Sequence, residues 1–547
     1  MKKVILIGID GADPNLLQKW IGQGHLPTFK KLQERGSWGK MKSTIPPFSA
    51  PAWTSIVTGC TPGKHSIYGF EATGTLEPKL INSRYRKVPA IWNLISKIGK
   101  NCIVVNVPGT YPPEKINGAM ITGLLTPSKD VTFTYPKTIK ERLIDDDLGS
   151  YELEQFWLED FSRAKMKKRD PQALINHINN QMASRLTVAG NLMKEIPWDF
   201  CMIVFRGTDT AQHFLFDSEK LLLSCYEKVD ELVNKIIENN ADATIFVVSD
   251  HGFEQIKKVL YPDNVLYNNK LLVPTWDPYD NLQSITYSII YRLLQWILKK
   301  LPKKTLQQSQ LIKQLLFSSA SKAALIDFTK TKAFSTADGR GIQLCLAEKY
   351  KNGIVSKEES EQLITELISL LSKIKDSNGN NLLIERVYRS EEIFGKDAVD
   401  PPDLVFDLKP GVTASEWIRF PGTLHEILKY KKNSIPYVYS KDPAGRTGDH
   451  AAYGVFFAYG KNIKSNQSLD GIKVEDVLPT VFSCLGLSTP THIDGVAFTN
   501  VFVEKPPMEE IDWSQTGKKT PLQSGELKKI MALRKRLDSS NSENNNI

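Results

Sequence analysis

The sequence predicts an α/β fold in which a doubly wound, mostly parallel central sheet is flanked by helices. Two observations predict it: short runs rich in Val and Ile are nearly unbroken in apolar character, and stretches with helical spacing separate them. Such runs are typical of strands that are covered on both faces, as parallel strands are. The chain has 547 residues, of which 41% are hydrophobic and 24% charged, so it has ample material for a buried core and is not globally disordered.

Six predicted strands and three predicted helices set the order of elements. The strands are residues 3–9, 101–107, 119–123, 200–205, 243–249 and 452–459. The first helix is expected to run from Pro14 to about Ile21, because Asp13 is a good N-cap residue and proline suits the first helical position. Two further helices are expected at 218–239 and 357–375, where apolar residues recur at helical spacing.

Three regions follow from this pattern. Residues 1–260 and 400–503 form the predicted catalytic core. Residues 261–399 break the alternation of strands and helices, so we interpret them as an inserted lid or cap region. Residues 504–547 turn polar and are expected to form a C-terminal tail.

The composition indicates which kinds of partner and which cellular compartment to expect. Lys and Arg number 70 against 61 Asp and Glu, a formal net charge of +9, which favours small anionic substrates or anionic surfaces over specific nucleic-acid binding. The six cysteines are scattered without a C-x-x-C pair, which argues against a disulfide scaffold and favours a reducing, cytoplasmic location. No run approaches the ~18 apolar residues of a membrane span.

Residues 284–304 are compatible with a second location, at a membrane surface. Apolar side chains recur there at helical spacing, with a tryptophan and terminal lysines, as in helices that lie in a lipid interface. The alternatives are a protein peripheral to a membrane and a lid helix packed on the core, of which we favour the lid helix.

Carboxylates and imidazoles lie at the ends of four predicted strands. They are Asp10 after the first strand, Asp209 and His213 after the strand at 200–205, Asp250 and His251 after the strand at 243–249, and His450 just before the strand at 452–459. Asp209 and His213 are four residues apart and would share one face of a helix. Gly252 would allow the sharp turn through which Asp250 and His251 reach one cation. Taken singly, each has an ordinary alternative: a turn or N-cap aspartate, a surface hydrogen-bonded pair, or a turn histidine.

Taken together, three carboxylates and three imidazoles at the edge of one predicted sheet favour a metal site, since such folds place their ligands there. Oxygen ligands mixed with imidazole suit Zn²⁺ or Mn²⁺ rather than Ca²⁺. Six ligands are too many for one tetrahedral ion but fit two ions about 4 Å apart. The sequence therefore predicts two divalent metal ions, with zinc expected and manganese as the alternative.

A candidate nucleophile precedes a predicted helix. If the helix begins near Ala50, Ser49 is its N-cap and Pro51 lies in its first turn. The helix amides would then face the group that the Ser49 hydroxyl attacks, which favours a phosphoryl or sulfuryl group. A purely structural cap is the alternative, and Thr54, a full turn inside the helix, is the competing hydroxyl.

Five segments carry a resemblance to a known family. They are Asp10-Gly11 at a strand end, P-A-W-T-S-x-x-T-G-x-x-P-G-K-H from Pro51, T-D-x-x-Q-H from Thr208, S-D-H-G from Ser249, and G-x-H from Gly448. Together they resemble the alkaline phosphatase superfamily and, within it, the type I phosphodiesterase/nucleotide pyrophosphatase family. The resemblance covers most of residues 1–260 and 330–500.

The resemblance implies an alkaline phosphatase-like fold and a two-metal phosphoester hydrolase whose substrate is a nucleotide or another small diester. It implies two ligand sets: Asp10, Asp250, His251 and the Ser49 oxygen for one metal, and Asp209, His213 and His450 for the other. Ser49 would be the nucleophile that forms a phosphoseryl intermediate, at the place where many diesterases have Thr.

The sequence departs from the family pattern at two places. An Asn that contacts the phosphoryl oxygen in the diesterases falls at about Phe70 here, so Lys64, Arg206 or a lid residue would supply that contact. Trp53 stands where the C/S-x-P-x-R signature of the sulfatases has Arg, which argues against the oxidation of the signature residue that occurs in those enzymes. The alternatives left open are a phosphomonoesterase or phosphomutase of the same superfamily and a membrane-surface lipid phosphoester hydrolase.

Overall fold

The computed structural model describes residues 2–74, 79–153, 170–279, 325–415, 418–420, 429–442 and 445–513. The amphipathic segment 284–304 lies outside the described residues, as does the tail beyond residue 513. Within the described residues, no helix combines the length and the apolar character that crossing a membrane requires.

The strands are, in chain order, β1 (Lys3–Ile9), β2 (Ser37–Lys42), β3 (Cys102–Val107), β4 (Gly118–Thr122), β5 (Thr134–Tyr135), β6 (Phe200–Phe205), β7 (Ala243–Val248), β8 (Gly252–Gln255), β9 (Lys258–Leu260), β10 (Ala333–Ser335), β11 (Gly341–Leu344), β12 (Ile384–Arg389), β13 (Leu404–Leu408), β14 (Val412–Ala414), β15 (Val438–Tyr439), β16 (Gly448–Ala451), β17 (Tyr453–Tyr459) and β18 (Gln467–Lys473). The α-helices are Pro14–Gly22, Pro27–Arg35, Ser49–Thr58, Pro62–His65, Ile91–Lys97, Thr138–Ile144, Pro171–Glu195, Gly207–Leu215, Glu219–Asn239, Pro262–Asn268, Lys357–Leu371, Ser390–Phe394 and Val477–Leu485. Short 3₁₀ turns occupy Val474–Asp476 and Thr499–Val501.

Nine of the described strands form the central sheet, in the order β18-β2-β17-β7-β1-β6-β3-β4-β5. The middle of the sheet, from β7 through β1, β6 and β3 to β4, is parallel throughout. β17 runs antiparallel to both of its neighbours, and β5 is antiparallel to β4. The predicted α/β class with a mostly parallel sheet is therefore confirmed.

The six predicted strands are all present, with ends that differ from the prediction by at most one residue. The predicted first helix is confirmed as well: Asp13 accepts hydrogen bonds from the amides of Asn15 and Leu16, and Pro14 occupies the first position. The helix predicted at 357–375 ends earlier, at Leu371.

Helices cover both faces of the sheet because successive side chains of a strand point to opposite faces. Ile5, Ile7 and Ile9 of β1 pack into one apolar cluster, which includes the buried faces of the helices Pro14–Gly22 and Glu219–Asn239. Val4 and Leu6 pack into the other cluster, with the helices Ser49–Thr58 and Val477–Leu485. Both faces of β1 are thus buried, which explains why its sequence shows no polar alternation.

The described residues group into two compact units. One comprises the described residues within 2–69, 81–256 and 445–513 and contains the central sheet. The other comprises the described residues within 70–80 and 257–442, and so extends beyond the 261–399 insertion inferred from the sequence. It contains an antiparallel sheet in the order β10-β11-β13-β12 and a three-stranded sheet in the order β14-β9-β15, with its own apolar core.

Candidate metal centre

Three neighbouring strands place the acidic residues at one edge of the sheet. β1 lies between β6 and β7 and runs parallel to both, with Ile9 opposite Phe205 and Gly8 opposite Val248. The residues that follow these strand ends are therefore adjacent, and the Asp10 amide donates to the carbonyl of Phe205 at 2.9 Å. Asp10, Asp209 and Asp250 are all buried at this edge.

A short antiparallel ladder supplies the last imidazole. β16 pairs with β8, and His450 lies directly opposite Phe253 in the register. The His450 and His251 ring centroids are consequently 4.0 Å apart, although the residues are far apart in the chain. The sequence placed His450 before a strand but gave no sign of the four-residue strand that contains it.

Ser49 is brought to the site by a helix that follows β2 in the chain. It is the first residue of the helix Ser49–Thr58, whose N-cap is Phe48, with extended backbone (φ −116°, ψ 147°) and no side-chain cap. The prediction that Ser49 is the N-cap was wrong by one residue. Its hydroxyl, instead of capping the helix, lies 3.1 Å from His251 Nε2 and 3.4 Å from Asp10 Oδ1.

Four side-chain atoms form a first group, which we call group A: Asp10 Oδ1, Ser49 Oγ, Asp250 Oδ2 and His251 Nε2. The His251 nitrogen is 3.6 Å from Asp10 Oδ1 and 3.2 Å from Asp250 Oδ2. With the two Ser49 distances, the measured separations in group A span 3.1–3.6 Å.

Three further atoms form group B: Asp209 Oδ1, His213 Nε2 and His450 Nε2. Asp209 Oδ1 lies 3.4 Å from each imidazole nitrogen, and the two nitrogens are 3.1 Å apart. A tetrahedral ion with ligand bonds of ~2.0–2.1 Å separates its ligands by roughly 3.3–3.4 Å. The spacing in both groups therefore fits ligands that surround a small cation.

Backbone carbonyls fix which nitrogen each of two histidines turns toward the site. His251 Nδ1 lies 3.1 Å from the Gly252 carbonyl oxygen, and His213 Nδ1 lies 3.2 Å from that of Gly448. A carbonyl only accepts, so each Nδ1 carries the proton of the neutral ring and donates it. Both Nε2 atoms then present lone pairs to their groups, as metal-binding histidines require.

Two buried carboxylate oxygens in these groups accept no hydrogen bond from the described residues: Asp209 Oδ1 and Asp250 Oδ2. A buried oxygen of this kind is costly to desolvate unless something else balances it. A divalent cation in each group would satisfy the oxygen of that group. The donor set of carboxylate, hydroxyl and imidazole also fits Zn²⁺ or Mn²⁺.

The pKa values of the acidic residues reflect this crowding. Burial, together with the nearby charge of Asp209, raises the pKa of Asp10 to about 7, although Arg206 opposes the shift. Burial and the Asp10 charge raise the pKa of Asp250 well above its usual range. Burial also pushes up the pKa of Asp209, but the interactions of its carboxylate with His213 and Arg206 outweigh burial and leave that pKa low. The protein alone therefore holds protons where a cation would replace them.

Two of the histidines, His251 and His450, remain neutral in the same environment. Burial lowers the pKa of His251 well below its usual range, and the neighbouring His450 lowers it further. Burial likewise lowers the pKa of His450. Neutral imidazole is the form that binds metal ions.

The same ligand atoms admit other groupings. Asp209, His251 and His450 also lie close enough to hold one ion, as do His213, Asp449 and His450. Asp449 is the middle residue of the G-x-H motif but was not predicted as a site residue; it is nearly fully buried. Group A and group B together nevertheless contain every residue that the sequence predicted as a ligand.

Three side chains that sequence reasoning did not assign to this role support the groups. Trp53 Nε1 donates to Asp10 Oδ2 at 3.0 Å, and Arg206 donates to both Asp10 and Asp209. Phe253 packs its ring against the imidazoles of His213, His251 and His450, with centroids 4.8, 5.9 and 5.3 Å away. In the sequence, these three residues are marked only by their position within or next to the motifs.

Two predicted alternatives have other partners in the structure. Thr54 Oγ1 donates to the Ala50 carbonyl at 2.7 Å within its own helix, so its hydroxyl is engaged by the backbone. Lys64 Nζ contacts Asp494 and donates to the His492 carbonyl at 2.7 Å. Arg206, in contrast, lies beside both ligand groups.

The chain is similar to one protein family and to several solved structures. The model of the family described as type I phosphodiesterase/nucleotide pyrophosphatase matches residues 4–415. Among solved structures, murine ectonucleotide pyrophosphatase/phosphodiesterase 5, as an inactive variant in complex with AMP, matches with a TM-score of 0.48 at 12% identity. The human form gives 0.47 at 12% identity, and each match covers 92% of this chain and 100% of the other.

Proposed function

The chain belongs to the type I phosphodiesterase/nucleotide pyrophosphatase family and is a hydrolase of that family. From this premise we propose that it is a two-metal-dependent phosphoester hydrolase that acts through a phosphoseryl intermediate on Ser49. The substrate that we propose is a nucleotide or another small phosphodiester.

The observation that carries the proposal is the convergence of seven side-chain atoms in two groups that meet at the carboxyl ends of β1, β6 and β7. We assign Asp10, Ser49, Asp250 and His251 to one ion, and Asp209, His213 and His450 to the other. The spacing of 3.1–3.6 Å in both groups supports this assignment. Zinc is the proposed ion, and manganese the alternative.

When bound, the two divalent cations would lower the pKa of the Ser49 hydroxyl and stabilise negative charge on the attacking and leaving oxygens. The chain itself holds the reacting oxygen in place. Ser49 is 1% exposed, and the residues beside it exclude bulk water from its hydroxyl. Its position at the start of a ten-residue helix directs the first-turn amides toward the phosphoryl group, which favours an anion there.

The reaction proceeds by two displacements at phosphorus. The Ser49 oxygen, having lost its proton to solvent, forms a bond to phosphorus while the bond from phosphorus to the leaving oxygen breaks, and the leaving group departs after taking up a proton from solvent. Water then attacks the same phosphorus and loses a proton, the bond to Ser49 breaks, and the serine oxygen takes up a proton to restore its hydroxyl. Asp10 and His251, which flank Ser49, hold its oxygen in line during both steps.

The experiment that tests the proposal is a parallel assay of a p-nitrophenyl phosphodiester, p-nitrophenyl phosphate and p-nitrophenyl sulfate. The protein is reconstituted with Zn²⁺ or Mn²⁺ and compared with Ser49→Ala. We expect metal-dependent turnover of the diester that is lost in Ser49→Ala. Preference for the monoester would reassign the protein to the phosphatases, and absent or metal-independent turnover of all three would contradict the proposal.

A further inference from the structure

Arg206 touches one carboxylate from each ligand group. We propose that it is a positioning residue that holds Asp10 and Asp209 so that each offers a single oxygen to its cation. The inference rests on the proposed two-metal function, but its test separates the two claims.

The two oxygens of Asp10 have different partners. Oδ1 faces Ser49 Oγ at 3.4 Å and His251 Nε2 at 3.6 Å, within group A. Oδ2 accepts hydrogen bonds from Trp53 Nε1 at 3.0 Å and from Arg206 Nε at 2.9 Å. These two donors occupy Oδ2 and leave Oδ1 to face the cation.

Asp209 shows the same division. Its Oδ1 faces the Nε2 atoms of His213 and His450 at 3.4 Å each, within group B. Its Oδ2 accepts a hydrogen bond from Arg206 Nη2 at 2.5 Å. In both carboxylates, therefore, Oδ1 belongs to the ligand group and Oδ2 to the guanidinium.

The backbone around Arg206 is held as well. Arg206 follows β6 directly and is the N-cap of the helix Gly207–Leu215, which carries Asp209. The Thr208 hydroxyl donates to the Asp10 carbonyl at 2.5 Å and ties the start of this helix to the end of β1. The Arg206 side chain is only 11% exposed, so water competes little for its donors.

The planar guanidinium suits this bridging role. It offers separate nitrogens in a rigid fork, so Nε and Nη2 reach two carboxylates at once, whereas the lysine ammonium is a single point charge on a flexible stem. Hydrogen-bonded partners of metal ligands typically change metal affinity by ~10–100-fold when they are removed. A positioning role predicts that replacing Arg206 weakens zinc binding. The charge of Arg206 alone predicts the opposite, because a cation placed near two dications weakens their binding by repulsion.

The test measures zinc content and zinc affinity of the full-length chain by competition with a chromogenic chelator, and the visible absorption of the Co²⁺-loaded protein, which reports coordination. We expect Arg206→Gln and Arg206→Lys each to weaken zinc binding by about tenfold or more and to change the cobalt spectrum. Unchanged or tighter zinc binding in Arg206→Gln would overturn the positioning role, since that is the result of charge alone.

Arg142 provides a matched control because it also bridges two carboxylates. It donates to Asp147 at 2.6 Å and to Glu195 at 2.7 and 2.8 Å, and neither carboxylate belongs to a ligand group. We expect Arg142→Gln and Arg142→Lys to bind zinc as the unaltered protein does. Equal losses in the Arg142 and Arg206 variants would overturn the inference.

Trp53→Phe keeps the test decisive should the Arg206 variants fail to fold. It removes one of the two donors to Asp10 Oδ2 and leaves Asp209 untouched, so we expect weaker binding of one ion only. Equal weakening of both ions, or of neither, would overturn the inference. An unaltered protein that binds no zinc would overturn the proposed function itself, and this inference with it.

Discussion

The Ser49 hydroxyl lies 3.1 Å from His251 Nε2, although 202 residues separate the two in the chain. The helix start at Ser49 and the turn after β7 must both be formed before this contact exists. The contact places the proposed nucleophile beside a residue of group A, so the fold positions the reacting oxygen next to the proposed metal ligands.

Replacing Ser49 by Ala should reduce diester hydrolysis by on the order of 10³-fold or more, because the other hydroxyls of this helix, those of Thr54, Ser55 and Thr58, have partners outside group A. Thr54→Ala is the matched control, since Thr54 is the competing hydroxyl and its Oγ1 is engaged with the Ala50 carbonyl. We expect that variant to retain activity within a few-fold. Steady-state rates of the two zinc-loaded variants test this. Activity lost in Thr54→Ala and retained in Ser49→Ala would make Thr54 the nucleophile.

The Ser49 helix also shows why local sequence rules failed here. Serine is a favoured N-cap, which predicts a helix from residue 50. The structure starts the helix one residue earlier and leaves the serine hydroxyl to its neighbours Asp10 and His251. A functional position of this kind is where local propensity is expected to yield to the site.

The parallel strands could be predicted because both of their faces are buried, and their apolar runs are therefore unbroken. β2 and β18 could not: β2 reads Ser-Trp-Gly-Lys-Met-Lys, with few of the residues that favour strands, and only Leu469 and Ile472 of β18 are buried. The carboxylate and imidazole ligands could be predicted because their motifs lie next to predicted strands. Arg206, Trp53 and Phe253 could not, because their roles depend on contacts between segments distant in the chain.

Removing divalent ions should destabilise the folded protein, since the ligand groups bind the ions only when they are assembled. At a free zinc concentration 100 times the dissociation constant, one site would contribute ~2.7 kcal/mol to the free energy of unfolding. Thermal unfolding after chelation, and again after zinc is restored, measures this difference. Unfolding curves that coincide with and without zinc would contradict the metal assignment.

Substituting one imidazole of each group should remove one ion at a time. We expect His213→Gln and His251→Gln to retain about one zinc ion per chain, because the assigned groups A and B share no residue. The double variant should retain none. Zinc content by elemental analysis measures this, and loss of both ions from either single variant would show that the ligands form one interdependent cluster.

Acid should destabilise the protein through His65, which is buried outside the ligand groups. The Ile67 amide donates to its Nδ1 at 3.1 Å, and its Nε2 lies 3.0 Å from the Ser55 hydroxyl, so the ring is neutral. Burial, with a contribution from Arg86, lowers the pKa of His65 to about 3. Because the pKa is lower in the folded state than in the unfolded chain, this stabilisation is complete above pH ~6.5 and declines as the pH falls toward 3.

The decline attributable to His65 should approach ~1.4 kcal/mol per pH unit within that window. Urea unfolding at several pH values, compared between the unaltered protein and His65→Asn, isolates it, since Asn retains an acceptor for the Ile67 amide. We expect a shallower pH dependence in the variant, and no such change in His25→Asn on the surface. Equal slopes in all three proteins would refute the assignment.

The central claim is that Ser49 carries the phosphoryl group during turnover. Zinc-loaded enzyme is mixed with a p-nitrophenyl phosphodiester, quenched in acid within the first turnovers, digested and mapped by mass spectrometry. We predict that the peptide containing Ser49 gains the mass of the substrate without its p-nitrophenol, and that this adduct is absent from Ser49→Ala. An adduct on another residue, or rapid turnover with no adduct in either protein, would contradict the account.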